Sequence, residues 1–325
     1  MPDVQAQSHG ELSQLNEYFF LTDGGLETTL VFHDQIDLPY FAAFDLLKDA
    51  EGTDRLRSYF SGYADIAVKY GCGFIFESAT WRANSDWGEL MGLNQSDLDK
   101  INYDAVALLR SIQFDYGKKL RASLISGCIG PRGDGYTVES SMSAKDAEAY
   151  HMPQITALMD AGVDVVSAVT MTTSSEALGV VRGTQGVSMP SVISFTVETD
   201  GRLPGGETLE EAIATVDAQS DGGPAYYMIN CAHPTHFHGA LSTGASWTDR
   251  VRGIRANASC MSHDELDNSE TLDDGDPEEF AAQYRKMSST LKNLTVFGGC
   301  CGTDERHIQE ISKVCVGHKL GANAD

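Results

Sequence analysis

The 325-residue chain carries 47 acidic against 23 basic side chains, a formal net charge of −24, with 42% hydrophobic and 22% charged residues. That balance repels nucleic-acid phosphates and suits a soluble globular protein of one large domain or two ordinary ones; no window nears the roughly 18 apolar residues of a membrane helix. The polar start from Met1 to Ser8 has no basic-then-apolar leader pattern, and an odd count of seven cysteines without such a leader points to a reducing compartment, the cytoplasm.

Eight short apolar runs recur, with room for a helix between most of them. Phe19-Phe20-Leu21-Thr22 leads into Asp23-Gly24-Gly25, and Gly73-Phe74-Ile75-Phe76 into Glu77-Ser78-Ala79-Thr80. Leu124-Ile125-Ser126 leads into Gly127-Cys128-Ile129-Gly130-Pro131. Val163 to Val169 ends in Thr170, and Ser191 to Thr196 ends in Val197-Glu198. Ala225 to Asn230 leads to Cys231, Arg250 to Arg255 to Ala256-Asn257-Ala258, and Leu294-Thr295-Val296-Phe297 to Gly298-Gly299-Cys300-Cys301-Gly302-Thr303. The segments between them carry helix signals. One helix opens near Asp54 and stops at Gly71; another starts after the N-cap Ser143 and stops at Gly162. Two more open at Thr208 and at Asp276-Pro277, the latter with proline in the first helical turn. Eight strands with helical crossovers predict an α/β fold, a single (β/α)8 barrel of the TIM type whose chemistry lies at the C-terminal ends of the strands. The expected organisation is a loose tail over 1–18, the barrel over 19–317 and a short tail over 318–325. An open doubly wound sheet is the competing architecture, but no GxGxxG loop follows the first strand and no GK[ST] loop occurs. An acidic insertion over 257–276 reads as a surface loop or a subunit contact.

The glycine-cysteine stretch lies where a strand gives way to a loop. Successive side chains on a strand point to opposite faces, so Cys300 and Cys301 reach one metal only if the backbone bends between them. The flanking glycines, tolerant of positive φ, would permit that bend. A lone buried cysteine such as Cys231 reads equally well as a small core residue, but neighbouring cysteines between glycines do not read as packing. Three thiolates converging at strand ends would hold zinc and leave one coordination position open, as catalytic zinc sites do. Zn2+ is therefore the expected cofactor, with Cys231, Cys300 and Cys301 as its ligands. The nine histidines lack HxH or HExxH spacing; His233, His236 and His238 read as loop histidines rather than a second metal site.

With these motifs in hand, the chain resembles the homocysteine S-methyltransferases, over residues 19 to about 315. The resemblance is carried by Gly298-Gly299-Cys300-Cys301-Gly302-Thr303 and Asn230-Cys231, supported by Asp23-Gly24-Gly25, Gly127-Cys128-Ile129-Gly130-Pro131 and Ala256-Asn257-Ala258. It implies a (β/α)8 barrel in which Cys231, Cys300 and Cys301 bind zinc and the acceptor thiol takes the open position. It also implies methyl transfer from a sulfonium or quaternary ammonium donor to a zinc-activated thiol, homocysteine, giving methionine. Asp23 matches an aspartate near the amino-acid acceptor, and Asn230 and Glu77 fall on the substrate side of the barrel. Trp81, with Trp87 and Tyr40, would offer aromatic faces to a cationic methyl donor. The implied partners are small molecules, a thiol acceptor and an onium donor, with no nucleic acid and no membrane; a homo-oligomer is left open.

Two departures stand against this pattern. Val169 occupies the end of strand four, where the family usually has a glutamate that helps bind the amino group of homocysteine; a valine accepts no hydrogen bond from an ammonium. Thr80-Trp81-Arg82 ends in an arginine whose planar fork suits a carboxylate or another anion. The alternatives are therefore the same chemistry on a thiol without the amino group, with a nearby acid such as Glu176 as a substitute if strand four is shifted, or a zinc-binding relative without catalysis.

Overall fold

In the computed structural model, which describes residues 12–138 and 142–316, eight parallel strands close on themselves in sequence order. They are β1 Phe20–Leu21, β2 Gly73–Glu77, β3 Ser123–Ile129, β4 Val165–Met171, β5 Ser191–Phe195, β6 Tyr226–Asn230, β7 Val251–Ala256 and β8 Val296–Gly299. Phe20 pairs with Gly73 on one side and Val296 on the other, which closes the barrel. Every predicted apolar run became a strand. β4 continues to Met171, beyond the expected end at Val169, across an irregularity between Ala168 and Met171 where Thr170 takes a left-handed φ of 61°.

The crossovers are α1 Ala50–Tyr70, α2 Gln95–Tyr116, α3 Ala144–Ala161, α4 Ser174–Gly186, α5 Leu209–Ser220, α6 Pro234–Leu241, α7 Pro277–Thr290 and α8 Glu305–Ile311. α1 starts four residues earlier than the sequence suggests because Asp49 is its cap, accepting the Gly52 N–H at 2.8 Å; it stops at left-handed Gly71. Ser143 caps α3, Thr208 and Glu211 form a reciprocal capping box on α5, and Asp276 caps α7 ahead of Pro277. Each cap satisfies N–H groups that the helix leaves bare and is worth about 1 kcal/mol.

Two buried layers result. Side chains of one strand parity, among them Phe20, Ile75, Leu124, Val192, Met228 and Val296, fill the barrel. The other parity packs outward against the helices, as Phe74, Ile125, Ile193 and Phe297 do. Burial on both faces explains why the strands read as continuous apolar runs. Residues 12–18, expected in the loose tail, instead form part of the barrel. Leu15 is buried in the inner layer, and Arg252 of β7 donates to the Leu15 carbonyl at 2.7 Å and to Asn16 Oδ1 at 2.9 Å. Residues 1–11 and the short tail expected over 318–325 lie outside the described residues. No helix among those described is long and apolar enough to cross a membrane.

Candidate active site and metal centre

Cys231 follows β6 in a left-handed conformation, φ 52°, which a non-glycine residue adopts only when its surroundings impose it. Its N–H donates to the Arg255 carbonyl at 3.2 Å, and its own carbonyl accepts from Thr196 Oγ1 at 3.2 Å and His263 Nε2 at 2.6 Å. The neighbouring Asn230 fixes the turn from the other side. Its Oδ1 accepts from the Thr170 N–H and Ser194 Oγ, at 2.9 and 2.6 Å, and its Nδ2 donates to Thr170 Oγ1 at 2.8 Å. Asn230 thus laces β4, β5 and β6 together beside Cys231.

Cys300 and Cys301 follow β8. The Cys300 N–H donates to the Ala256 carbonyl at 2.9 Å, and its carbonyl accepts from the Thr303 N–H and Oγ1. Gly302, at φ 78°, supplies the positive-φ position the sequence called for. Gly298 and Gly299 serve differently from the expectation. They lie in the strand, and a Cβ on either would collide with the Thr22 or Thr303 hydroxyl; what they permit is close approach rather than an unusual φ.

The three Sγ atoms all lie within 4.8 Å of one another, the one such group of metal-donor side chains among the described residues. Cys231 and Cys301 are 3.9 Å apart at sulfur, and Cys231 and Cys300 are in disulfide contact with Cα atoms 5.4 Å apart. A tetrahedral zinc with Zn–S bonds of about 2.3 Å would hold its sulfurs about 3.8 Å apart, so this donor set fits zinc once Cys231 and Cys300 are both reduced. The Tyr136 hydroxyl lies 3.6 Å from Cys301 Sγ and 3.8 Å from Cys231 Sγ, and its ring stacks on His263 at 4.0 Å. Of the histidine cluster, His233 caps α6 through its Nδ1, and burial lowers its pKa to about 4.

The cysteines open into a cavity of about 560 Å³ at the C-terminal face of the barrel, lined also by Asp23, Glu77, Trp81, Arg82, Asn230 and Val169. Its electrostatics centre on a residue that the sequence reading passed over. Arg255, at the end of β7, pairs with Asp23 through Nη2 at 2.7 Å, with Glu77 through Nη1, and donates from Nε to the Gly299 carbonyl at 3.2 Å. One guanidinium therefore joins the ends of β1, β2 and β8 from β7. Tyr59 adds a hydrogen bond to Asp23 Oδ2 at 3.2 Å, and Ser126 one to Glu77 Oε1 at 3.1 Å. Burial pushes the Asp23 carboxyl above its usual range, and the Arg255 charge offsets only part of that rise. Asp23 and Glu77, expected to face substrate, thus spend their charge on Arg255. The signal for Arg255 was in the sequence: a charged residue in a doubly buried strand needs an acid within reach.

Arg82 lies between two tryptophans, its Cζ 4.1 Å from the Trp81 ring centroid and 3.8 Å from that of Trp87, and donates to the Gly133 carbonyl at 2.8 Å. The cation between these rings is the protein's own. Tyr40 stands beside Trp87, ring centroids 5.9 Å apart, and lines the same cavity. Glu176 does not substitute for the missing strand-four acid: it is buried against His151 at 2.9 Å and the Arg132 N–H at 2.6 Å, away from the cavity. The 257–276 insertion is more than a surface loop. Ser259, Leu266, Ser269, Thr271, Leu272 and Asp273 form one cavity wall, and His263 buttresses Cys231. Neither Tyr136 nor this wall had a signal in the sequence, since both depend on how loops fold back.

Glu27 also lines the cavity, just past Asp23-Gly24-Gly25. Burial, with the Asp23 charge adding to it, lifts its pKa from the usual 4.5 to about 7. A group so raised stabilises the fold below its unfolded pKa and loses that contribution as pH rises through the folded value. Glu27→Gln is therefore expected to raise the thermal midpoint at pH 8 by about 2–5 °C and leave it nearly unchanged at pH 4, as differential scanning calorimetry at the two pH values would register.

Comparison with known proteins gives a consistent picture. The sequence model described as homocysteine S-methyltransferase matches residues 20–315. Homocysteine S-methyltransferase 1 of Brassica oleracea var. italica is 23% identical over 316 residues, covering 90% of this chain and 92% of its own. Homocysteine S-methyltransferase 3 of Arabidopsis thaliana is 22% identical over 327 residues, covering 91% and 89%. Among solved structures, the homocysteine methyltransferase MmuM from Escherichia coli superposes in its metallated form with a TM-score of 0.73 at 20% identity, covering 93% of this chain and 99% of that one. Its oxidised form gives 0.72 at 20% identity, covering 91% and 95%, and at that identity the likeness speaks for the fold.

Proposed function

Because this chain belongs to the homocysteine S-methyltransferase family, a family of methyltransferases, we propose that it moves a methyl group from a sulfonium or quaternary ammonium donor to the thiol of homocysteine. Cys231, Cys300 and Cys301 would hold the zinc. The observation that carries this reading is the meeting of three sulfurs from β6 and β8 on the wall of one cavity of about 560 Å³.

When bound, zinc lowers the pKa of an acceptor thiol from about 8.5 so that the thiolate is the attacking form. The chain's own residues do the rest. Asn230, Thr196 and His263 hold the Cys231 backbone in its left-handed turn, so that once Cys231 and Cys300 are reduced only the thiol side chains need adjust. The Tyr136 hydroxyl covers Cys231 and Cys301 against water. Tyr40, which lines the same cavity, offers an onium group an aromatic face, since the Trp81 and Trp87 rings already hold Arg82. In the transfer, a sulfur–methyl bond forms as the donor's bond from its positive sulfur or nitrogen to the methyl breaks. The donor leaves neutral, and the acceptor's proton passes to solvent. No base is needed at the methyl carbon; alignment is the protein's main contribution, on the order of 7–11 kcal/mol at best. Three thiols that must stay reduced suit a reducing compartment.

A second reading, a mercapto acid without an α-amino group, is favoured by the apolar wall at Val169 and by the pairing of Asp23 with Arg255. The test is metal analysis of protein purified under reducing agent, followed by methyl transfer from S-methylmethionine, S-adenosylmethionine, betaine and dimethylsulfoniopropionate to homocysteine. About one zinc per chain, with methionine formed and lost on chelation, is expected. Protein without zinc, or turnover indifferent to its removal, would sink the proposal.

A further inference from the structure

The cavity holds three acids at its β1–β2 side, and two of them are already committed. Asp23 and Glu77 share Arg255. Glu27 has no such partner: among the described residues no ion pair and no other residue's hydrogen bond engages its carboxylate, which receives only its own backbone N–H. It is half-buried and lines the cavity. The charged and titratable groups that act on it are Asp23 on its own segment, Arg82 after β2 and Arg255 on β7; burial, with the Glu27 charge adding to it, raises the Cys128 thiol on β3. Glu27 thus lines the cavity within electrostatic reach of groups from β1, β2, β3 and β7. Ionising a carboxyl there without a partner costs free energy, so the group stays partly protonated in the empty protein until a ligand supplies the missing countercharge.

We infer that Glu27, in a cavity where Val169 of β4 offers no acceptor, is the residue that receives the α-ammonium group of an amino-acid thiol acceptor. The inference rests on the proposed thiol methylation and narrows its substrate class. A primary ammonium has three donors, which an uncommitted carboxylate can accept as charge-assisted hydrogen bonds. The onium centre of a methyl donor has no N–H or S–H donor and gains less from an oxygen than from an aromatic face; S-methylmethionine and S-adenosylmethionine carry an α-ammonium of their own, and if Glu27 served that group instead, the preference between acceptor thiols would not change on its removal. Burial that holds the Glu27 carboxyl near pH 7 in the empty cavity is consistent with a group that ionises fully once a cation arrives.

The zinc-loaded protein and its Glu27→Gln and Glu27→Ala variants are compared with homocysteine and with 4-mercaptobutyrate, which lacks only the amino group. In Glu27→Gln the ratio of kcat/KM for homocysteine to that for 4-mercaptobutyrate is expected to fall by about 10- to 100-fold, with the change in KM rather than kcat. Glu27→Ala should behave alike. Isothermal calorimetry of the two thiols should show the same loss of discrimination in Kd, without reliance on turnover. The inference is overturned if the ratio is unchanged, if both thiols weaken equally, or if the unaltered protein already prefers 4-mercaptobutyrate. Should the unaltered protein methylate neither thiol, the proposed function fails, and the calorimetric comparison alone decides for or against Glu27.

Discussion

Cys301→Ser is expected to cut zinc content from about one per chain to a small fraction and to lower methyl transfer to homocysteine on the order of 10³-fold or more. Two effects combine. Without the metal, only a few per cent of a free thiol with a pKa near 8.5 is ionised at pH 7. The acceptor also loses its fixed position, and alignment of reacting groups is worth far more than ionisation. Serine differs from cysteine by one atom and keeps the backbone bonds of its neighbours Cys300 and Gly302, so circular dichroism and the thermal midpoint should change little. Metal analysis and a radiolabelled methyl-transfer assay check both halves. A variant that keeps its zinc, or that works within tenfold of the parent, would show that the third sulfur is dispensable.

Arg255→Met is expected to destabilise the fold by about 3–5 kcal/mol at pH 7. The methionine fills much of the volume, but it leaves Asp23 and Glu77 buried without a cation and frees the Gly299 carbonyl that Arg255 Nε engages. Both carboxyls would then titrate at raised pKa values. Raised acids contribute their stability when protonated and lose it as pH rises, so the deficit should shrink as pH falls from 7 towards 4. Urea unfolding at the two pH values measures this. Arg255→Lys should recover only part of the loss, because a single ammonium cannot serve two carboxylates and a carbonyl in the same planar arrangement. A deficit below 1 kcal/mol at pH 7, or one independent of pH, would refute the view that this guanidinium holds the β1, β2, β7 and β8 ends together.

The contrast between these two residues explains what could be read in advance. Cys300 and Cys301 announce themselves because paired thiols between glycines have few uses besides metal binding, and their partner Cys231 stands at the same relative place, just past a strand. Arg255 was written as plainly, in a run that ends Gly253-Ile254-Arg255, yet its meaning depended on which acids would face it. Asp23 and Glu77 looked like substrate contacts for the same reason: each is an acid at a strand end, and a sequence does not say whether the opposite charge comes from a ligand or from the chain. Arg82 repeats the point, since its fork, expected to face an anion, lies between Trp81 and Trp87.

The sequence alone determined the barrel and the three sulfurs. Both depend on local order along the chain: apolar runs at crossover spacing, caps at helix starts, and cysteines just beyond strand ends. The tertiary structure alone decided how charge is shared in the cavity. Asp23, Glu77 and Arg255 are far apart in the chain, as are Tyr136, the 257–276 wall and the cysteines they cover. Coulombic pairing depends on distance in space, and only closure of the barrel fixes those distances. That closure left Glu27 as the cavity acid without a partner on its own chain among the described residues.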